Sequence, residues 1–360
     1  MHSMRHYCSK AFITLLLSLL PVLSFAQQDS FERISPANAG FNPDSLEKLA
    51  NFLKTSGTSS MILAYDGKIL FEWGDIYHKH TIHSIRKAML NSLYGIYIEK
   101  GVIDTSMTIR ELGIEDIDPG LTESEKDARL ADLLKSRSGI YHDAAAEAPW
   151  MLVNKPKRGS HQPGETYYYN NWDFNALGTI FEELTGKTIY EAFYNDIARP
   201  IGMQQFKGSY ESIDLSDDLP IPRTDGFYQH EPDRSIHPAY HFRMSAHDMA
   251  LYGTLYMNNG LWKGTQIIPK KWIEASTKSY SVTNRYMDFG YGMLWNVINA
   301  NEERASKSFF HTGVGIHMLG IYPESKLVFV HRVNTESEYT FPQSNLYQII
   351  GMMFGAQVDG

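Results

Sequence analysis

The chain has almost no cysteine. Cys8 is the single one in 360 residues and stands in the basic start of the chain, so no disulfide framework holds the fold. Positive charge is also in short supply: 33 Lys and Arg face 41 Asp and Glu, a net charge of −8. Residues 1–26 carry two basic and no acidic residues, so setting them aside takes the balance to −10. Such a surface argues against nucleic acid or anionic lipid as partners. Beyond the N-terminus there is no apolar run long enough to span a bilayer, no internal repeat and no low-complexity tract. No Gly-x-Ser-x-Gly elbow occurs, and His230-Glu231 lacks the second histidine of a zinc-protease helix. Neither a metal nor a cofactor is expected.

What is present begins with a leader. Arg5 and Lys10 make a basic start, Ala11 to Leu23 is mostly apolar, and Ser24-Phe25-Ala26 offers small residues at a cleavage point. Residues 1–26 therefore read as a secretory signal peptide, with the mature chain starting at Gln27 in the periplasm or outside the cell. Cys8 is not at the end of the apolar run, so no lipid-modified cysteine and no stable membrane anchor after cleavage are expected. A secreted chain without disulfides must be held by its core, which this length and 43% apolar content can supply.

Ser84-Ile85-Arg86-Lys87 opens an apolar run from Ala88 to Ile98. Met89, Leu93 and Ile96 form one apolar row and Leu90, Tyr94 and Tyr97 another, the pattern of a buried helix. Ser84 and Lys87, three apart, share a face and can meet. Ser84 would sit at the positive end of the helix dipole, and Lys87 among Ala88, Met89 and Leu90 would be partly desolvated, which frees its amine to accept a proton. A serine beside a base is the minimal activated nucleophile. The pattern is short, however, and Ser45-Leu46-Glu47-Lys48 repeats it. That copy reads as the capped first turn of an ordinary amphipathic helix, with Lys48 in water.

Secondary-structure signals fall into three zones. Asp44–Lys54 reads as a helix, and Met61–Tyr65, Asp66-Gly67 and Lys68–Trp73 as a hairpin. From about 101 to 235 the pattern is helical with loops. Met244–Met257 and Pro269–Ser276 read as helices. Tyr291–Ile298, Ser308–His311, Ile316–Tyr322 and Lys326–Val333 read as strands, and Pro342–Phe354 as a closing helix. The expected class is α+β: an antiparallel sheet built from both chain ends (27–83 plus 240–360) and flanked by helices, with a mostly helical insertion over 84–239. A ligand cleft belongs between sheet and insertion, where the Ser84 helix begins.

Three motifs in this order resemble the serine β-lactamase and penicillin-binding protein superfamily, in its class C β-lactamase-like branch. That branch includes family VIII carboxylesterases, D-alanyl-D-alanine carboxypeptidases and 6-aminohexanoate-oligomer hydrolases. The first motif is Ser84-Ile85-Arg86-Lys87. The second is Tyr169-Asn170-Asn171, its register set among three tyrosines by the spacing to Pro163-Gly164 and Leu177-Gly178. The third is His311-Thr312-Gly313, in the place of Lys-Thr-Gly. Leu133-Leu134-Lys135-Ser136-Arg137-Ser138-Gly139 and Met244–Ala250 are supporting landmarks. The resemblance covers 41–355 as one domain. Read without it, Asn171 is a helix cap, Tyr169 a core aromatic and Gly313 a close-approach glycine.

The resemblance implies acyl transfer. Ser84 attacks a carbonyl, while Lys87 and Tyr169 share its proton as a coupled pair. Asn171 would hold the acyl side chain or orient Lys87. Thr312 and Gly313 line the substrate, and the N–H groups of Ser84 and Val314 form the oxyanion hole. The expected partner is a small ester, amide or peptide. A carboxylesterase or small-amide hydrolase stands ahead of a cell-wall carboxypeptidase or β-lactamase, because a lysine is usual at position 311 in the β-lactamases of this branch. An unperturbed imidazole at His311 would be half protonated near about pH 6.5, and a charged Lys87 would push it lower. It would favour a substrate carboxylate only as imidazolium, so a neutral or weakly charged substrate is expected. A non-catalytic protein that binds cell-wall peptide is the reading from another class; Ser84, Lys87, Tyr169 and Asn171 together argue against it. Arg86 has no evident outlet.

Overall fold

Both ends of the chain contribute to one sheet. The computed structural model describes residues 31–214 and 220–358; the leader expected at 1–26 lies outside them. Helix α1 (Pro43–Ser56) precedes strands β1 (Ser60–Tyr65), β2 (Lys68–Gly74) and β3 (His80–Thr81), then α2 (Arg86–Glu99) and α3 (Asn171–Thr185). Strands β4 (Tyr210–Asp214), β5 (Gly226–Glu231) and β6 (Ser235–Met244) lead to α4 (Ala246–Met257) and the small hairpin β7 (Leu261–Trp262) and β8 (Thr265–Gln266). The chain ends with β9 (Ser281–Asn284), β10 (Phe289–Tyr291), β11 (Asn296–Ile298), β12 (Ser308–Gly313), β13 (His317–Tyr322), β14 (Leu327–Arg332) and α5 (Gln343–Phe354).

The large sheet has eight strands in the order β2-β1-β14-β13-β12-β11-β10-β9, all pairs antiparallel. Its closing pair is β1 against β14, with Ser60 opposite Arg332 and Tyr65 opposite Leu327. The β1–β2 hairpin turns on Asp66 and Gly67 at φ 47° and 76°, the left-handed pair that matches strand twist. Both faces of the central strands are covered. Met61, Leu63 and Phe329 pack with Leu49, Leu53 and Ile349 from α1 and α5, whereas Ile62, Val328 and Val330 pack in the main core with α2, α3 and α4. That two-sided burial explains why these strands read as continuous apolar runs instead of alternating. Helix α2 is buried from Arg86 to Tyr97, on every face, as its two apolar rows predict.

Two elements differ from the sequence reading. The segment 101–235 is not only helix and loop: it supplies β4 and β5, which with β6 and β3 make a second sheet in the order β3-β6-β5-β4. Pro238 in the middle of β6 and the exposed residues of β4 hide the strand pattern. The single strand expected over Tyr291–Ile298 is broken at Gly292–Trp295, where Leu294 takes φ 60° and Gly292 N–H bonds Trp295 O, leaving β10 and β11 paired with each other.

Candidate active site

The segment entering Ser84 is tied on three sides. Thr81 pairs with Arg243 of β6, and Ile82 N–H donates to Phe242 O at 2.9 Å. His83 takes φ 49°, a left-handed conformation that strains a non-glycine backbone by about 1–3 kcal/mol. Its imidazole is fixed by a 2.7 Å bond between Nε2 and Thr335 Oγ1 and by packing on His317. From the β12 side, Gly313 closes in: a Cβ there would lie 2.6 Å from Ile82 O and 3.1 Å from His83 Cβ. No side chain fits this approach of two backbones. His83–Ile85 then form a single 3-10 turn, and α2 follows.

Lys87 Nζ lies 3.0 Å from Ser84 Oγ. The amine is fully buried between the rings of Tyr169 and Phe174, whose centroids are 4.9 and 4.5 Å away. Burial first, and then the charge of Arg86, hold it well below the ordinary lysine range. Two aromatic faces favour the ammonium by about 1–2 kcal/mol each. Full burial moves a lysine by up to about 3–5 units at roughly 1.4 kcal/mol per unit, so desolvation wins. Tyr169 shares a hydrogen bond with Ser84; burial pushes its phenol up to about 12, and the Ser84 bond and Arg86 pull the other way. By contrast, Ser45 sits in the Asn42-capped first turn of α1, with Lys48 in solvent. The second Ser-x-x-Lys is a helix start.

Arg86 turns inward. It is 2% exposed, donates to Tyr240 O at 2.8 Å and Asn175 Oδ1 at 3.0 Å, and lies over the Tyr240 ring at 4.3 Å. His311 is equally buried. Its Nδ1 faces Thr312 O at 3.0 Å and its Nε2 has no protein partner. Burial, then Lys87, push its imidazole down to about 3, with the Thr312 carbonyl opposing. The downward direction expected from Lys87 is present, with burial as the larger cause, and position 311 reads as a neutral wall. Asn171 donates to Ala146 O at 2.5 Å rather than to Lys87, and the cap of α3 is Asn170, whose Oδ1 accepts from Trp172 N–H. The serine-rich landmark explains how Tyr169 is held: Ser136 Oγ donates to Tyr168 O and accepts from Asn170 N–H, and Ser138 Oγ donates to Asp173.

Two cavities take in the residues of the site. One, of about 280 Å³, is lined by Ser84, Arg86, Lys87, Asn171, Val314 and, from the small sheet and its connections, Ile213, Ile221, Phe227, Gln229 and His241. The other, of about 580 Å³, is lined by Trp150, Asn154, Tyr167, Tyr168, Tyr169, Thr283, Asn296, His311 and Thr312. Seven of the eight residues expected at the site line one of these cavities; the eighth, Gly313, packs against Ile82 and His83. Sequence reasoning missed Trp150, Phe174, Tyr240 and His241. Tyr240 and His241 lie on the strand that Pro238 concealed; no local signal marks Trp150.

A family model described as Beta-lactamase matches residues 62–350. A curated protein of Escherichia coli (strain K12), named "Putative D-alanyl-D-alanine carboxypeptidase", is 23% identical over 236 residues, 52% of this chain and 54% of that protein. The chain thus spans about half the length of the curated relative it matches. Among solved structures, the "Putative 6-aminohexanoate-dimer hydrolase from Bacillus anthracis" superposes with a TM-score of 0.62 at 19% identity, covering 90% of this chain and 86% of the other. An octameric penicillin-binding protein homologue from Pyrococcus abyssi gives a TM-score of 0.60 at 17% identity, covering 88% and 78%. These similarities share the fold of serine β-lactamases and penicillin-binding proteins, and the family match extends over most of the sequence. The chain belongs to the β-lactamase family.

Proposed function

We propose that this protein is an exported serine hydrolase that cleaves a neutral ester or small amide through an acyl-enzyme on Ser84. The observation that carries the reading is the 3.0 Å approach of a fully buried Lys87 amine, its pKa lowered by burial and Arg86, to Ser84 Oγ, with Tyr169 on the same oxygen. Ser84 Oγ adds to the carbonyl carbon while its proton passes to the Lys87–Tyr169 pair. The oxyanion is held by the N–H groups of Ser84 and Val314, neither of which is engaged by a backbone carbonyl among the described residues. Collapse of the intermediate expels the leaving group, which takes the proton, and water then releases the acyl group by the reverse route. Asn171 and the 280 Å³ cavity take one side of the scissile bond, the aromatic cavity with His311 and Thr312 the other.

The preference for a neutral substrate rests on His311. A substrate carboxylate at that wall would meet an uncharged imidazole among the aromatic side chains of the same cavity, an unfavourable exchange for water. The curated Escherichia coli relative supports a second reading, a D-alanyl-D-alanine carboxypeptidase acting in the periplasm. Among the described residues no helix is long and apolar enough to cross a membrane. Exposure of the mature protein to a fluorophosphonate followed by peptide mass spectrometry tests the core of the proposal: the adduct belongs on Ser84. Ser84→Ala should abolish both adduct and ester turnover, while Ser45→Ala retains them. Turnover in Ser84→Ala equal to wild type would refute the mechanism, and absence of any adduct would return the protein to a binding role.

A further inference from the structure

A buried guanidinium without a carboxylate is an expensive thing to keep beside a nucleophile. Arg86 is such a group: among the described residues no acidic side chain forms an ion pair with it, and its bonds go to the Tyr240 carbonyl and the Asn175 amide oxygen. An apolar side chain of similar length would fill the same space against the Tyr240 ring without that desolvation. The charge is therefore not explained by packing.

Its neighbours narrow what it acts on. Around Lys87 stand Ser84, His83 and Arg86 from its own segment, Tyr169 just before α3, Phe174 in its first turn, His241 of β6 and His311 of β12. None is a carboxylate. Asp173, the buried acid of α3, is tied to Ser138 and Asn170. The histidines are held neutral by burial, His83 near 4 and His311 near 3. Arg86 is thus the one fixed charge in this shell.

We propose that Arg86 is a positioning residue for the proton acceptor: its unpaired charge, next in sequence and in the same buried shell, keeps Lys87 an uncharged amine beside Ser84. The sign is consistent across the pair. A cation disfavours the neighbouring ammonium and favours the phenolate of Tyr169, so both candidate acceptors stand ready to take the Ser84 proton at a lower pH than they would without it. This account explains why the guanidinium is satisfied by neutral oxygens; a carboxylate in the place of Asn175 would cancel the field at Lys87.

The inference rests on Lys87 serving Ser84 as proposed above, and the experiment separates the two. The pH profile of kcat/KM for a neutral acyl ester is measured in wild type, Arg86→Lys, Arg86→Met and Asn175→Asp, with folding checked by circular dichroism. The acid limb belongs to the Lys87–Tyr169 pair. It should move to higher pH by about one unit or more in Arg86→Met, the scale of removing a neighbouring charge, so that kcat/KM falls about tenfold below the limb. Arg86→Lys, which keeps the charge, should hold the limb near its wild-type position. Asn175→Asp, which retains the guanidinium but pairs it, should move the limb in the same direction as Arg86→Met. A limb that stays in place in both Arg86→Met and Asn175→Asp overturns the proposal. So does the failure of both to fold, which would make the residue structural. Wild-type turnover in Lys87→Met would overturn the base assignment itself and the role of Arg86 with it, whereas an inactive Lys87→Met with an unmoved limb in the Arg86 and Asn175 variants overturns the role of Arg86 alone.

Discussion

His311 offers the sharpest test of what the cleft accepts. With the imidazole held near 3, chiefly by burial, the ring is neutral through the working range. A substrate carboxylate docked against Nε2 would raise that value by about 1–3 units, which still leaves the ring mostly neutral at pH 7. The sign follows directly. An imidazolium contribution to carboxylate binding is present only below the histidine's titration and is lost as pH rises through it, so a group held this low has lost it before the working range begins. KM for a carboxylate-bearing ester should therefore be flat in this respect from about pH 7 to 8.5, as it is for a neutral ester, because even a value raised to about 6 is left behind there. His311→Gln should leave both curves flat. His311→Lys should improve the carboxylate ester relative to the neutral one by about tenfold or more, the scale of one charge-assisted hydrogen bond of about 1.5–3 kcal/mol. The assay is steady-state KM against pH for the two esters in the three proteins. A wild-type KM that climbs tenfold with pH for the carboxylate ester alone, and is flat in His311→Gln, would show a charged imidazole and refute the neutral wall.

Gly313→Ala puts a methyl 2.6 Å from Ile82 O, so the strand or the Ser84 turn must move; a loss of about 1–3 kcal/mol in stability and at least tenfold in kcat/KM should be seen by thermal melting and ester kinetics. Lys87→Ala and Tyr169→Phe should each lower kcat by roughly 10²–10⁴-fold, and the double variant should fall far short of their product; strictly multiplicative losses would show that the two do not share a proton. Burial pushes the Glu336 carboxyl up, but hydrogen bonds from Arg243 and Thr81 outweigh it and leave its pKa lowered. Its contribution is complete above the unfolded carboxyl range near about 4.5 and is lost as pH falls through the folded value. Glu336→Gln, which strands Arg243, should cost about 3–5 kcal/mol in denaturant melts at pH 7 and flatten the decline in acid.

What could be read from the sequence was local or patterned. Asp66-Gly67 specifies its own turn, and the two apolar rows of α2 specify a helix buried all round; neither depends on distant residues. The second motif could be assigned a register among three tyrosines because its spacing to Pro163-Gly164 and Leu177-Gly178 is set by short connections. Strand β6 was not, since Pro238 and three histidines or arginines interrupt its alternation, and its burial comes from α3 on one side and β3 and β5 on its edges. The outlet of Arg86 was closed for the same reason: its partners lie 154 and 89 residues away. The state of His311 is a consequence of burial beside Lys87, and burial is a property of the assembled cleft. The bond from Asn171 to Ala146 O, 25 residues earlier, was equally closed to the sequence.

The distant ties also determine when the nucleophile exists. Arg332, the last residue of β14, is fully buried and donates to the carbonyls of His80, Thr81 and Met244, and to Nδ1 of His317. Its second terminal nitrogen also meets Nδ1 of His80. Burial and the guanidinium hold both imidazoles low, which leaves each ring a lone pair with which to accept from Arg332. Four residues on, Glu336 accepts from Thr81 N–H and Oγ1–H and grips Arg243 of β6. Thr335 holds the His83 ring. So the residues immediately before Ser84, including the strained His83, are fastened by side chains from about 250 positions later in the chain. A left-handed histidine persists only where its surroundings over-determine it. Here those surroundings arrive with β14 and the loop after it, so the Ser84 turn acquires its geometry when the two chain ends have paired, not when α2 forms.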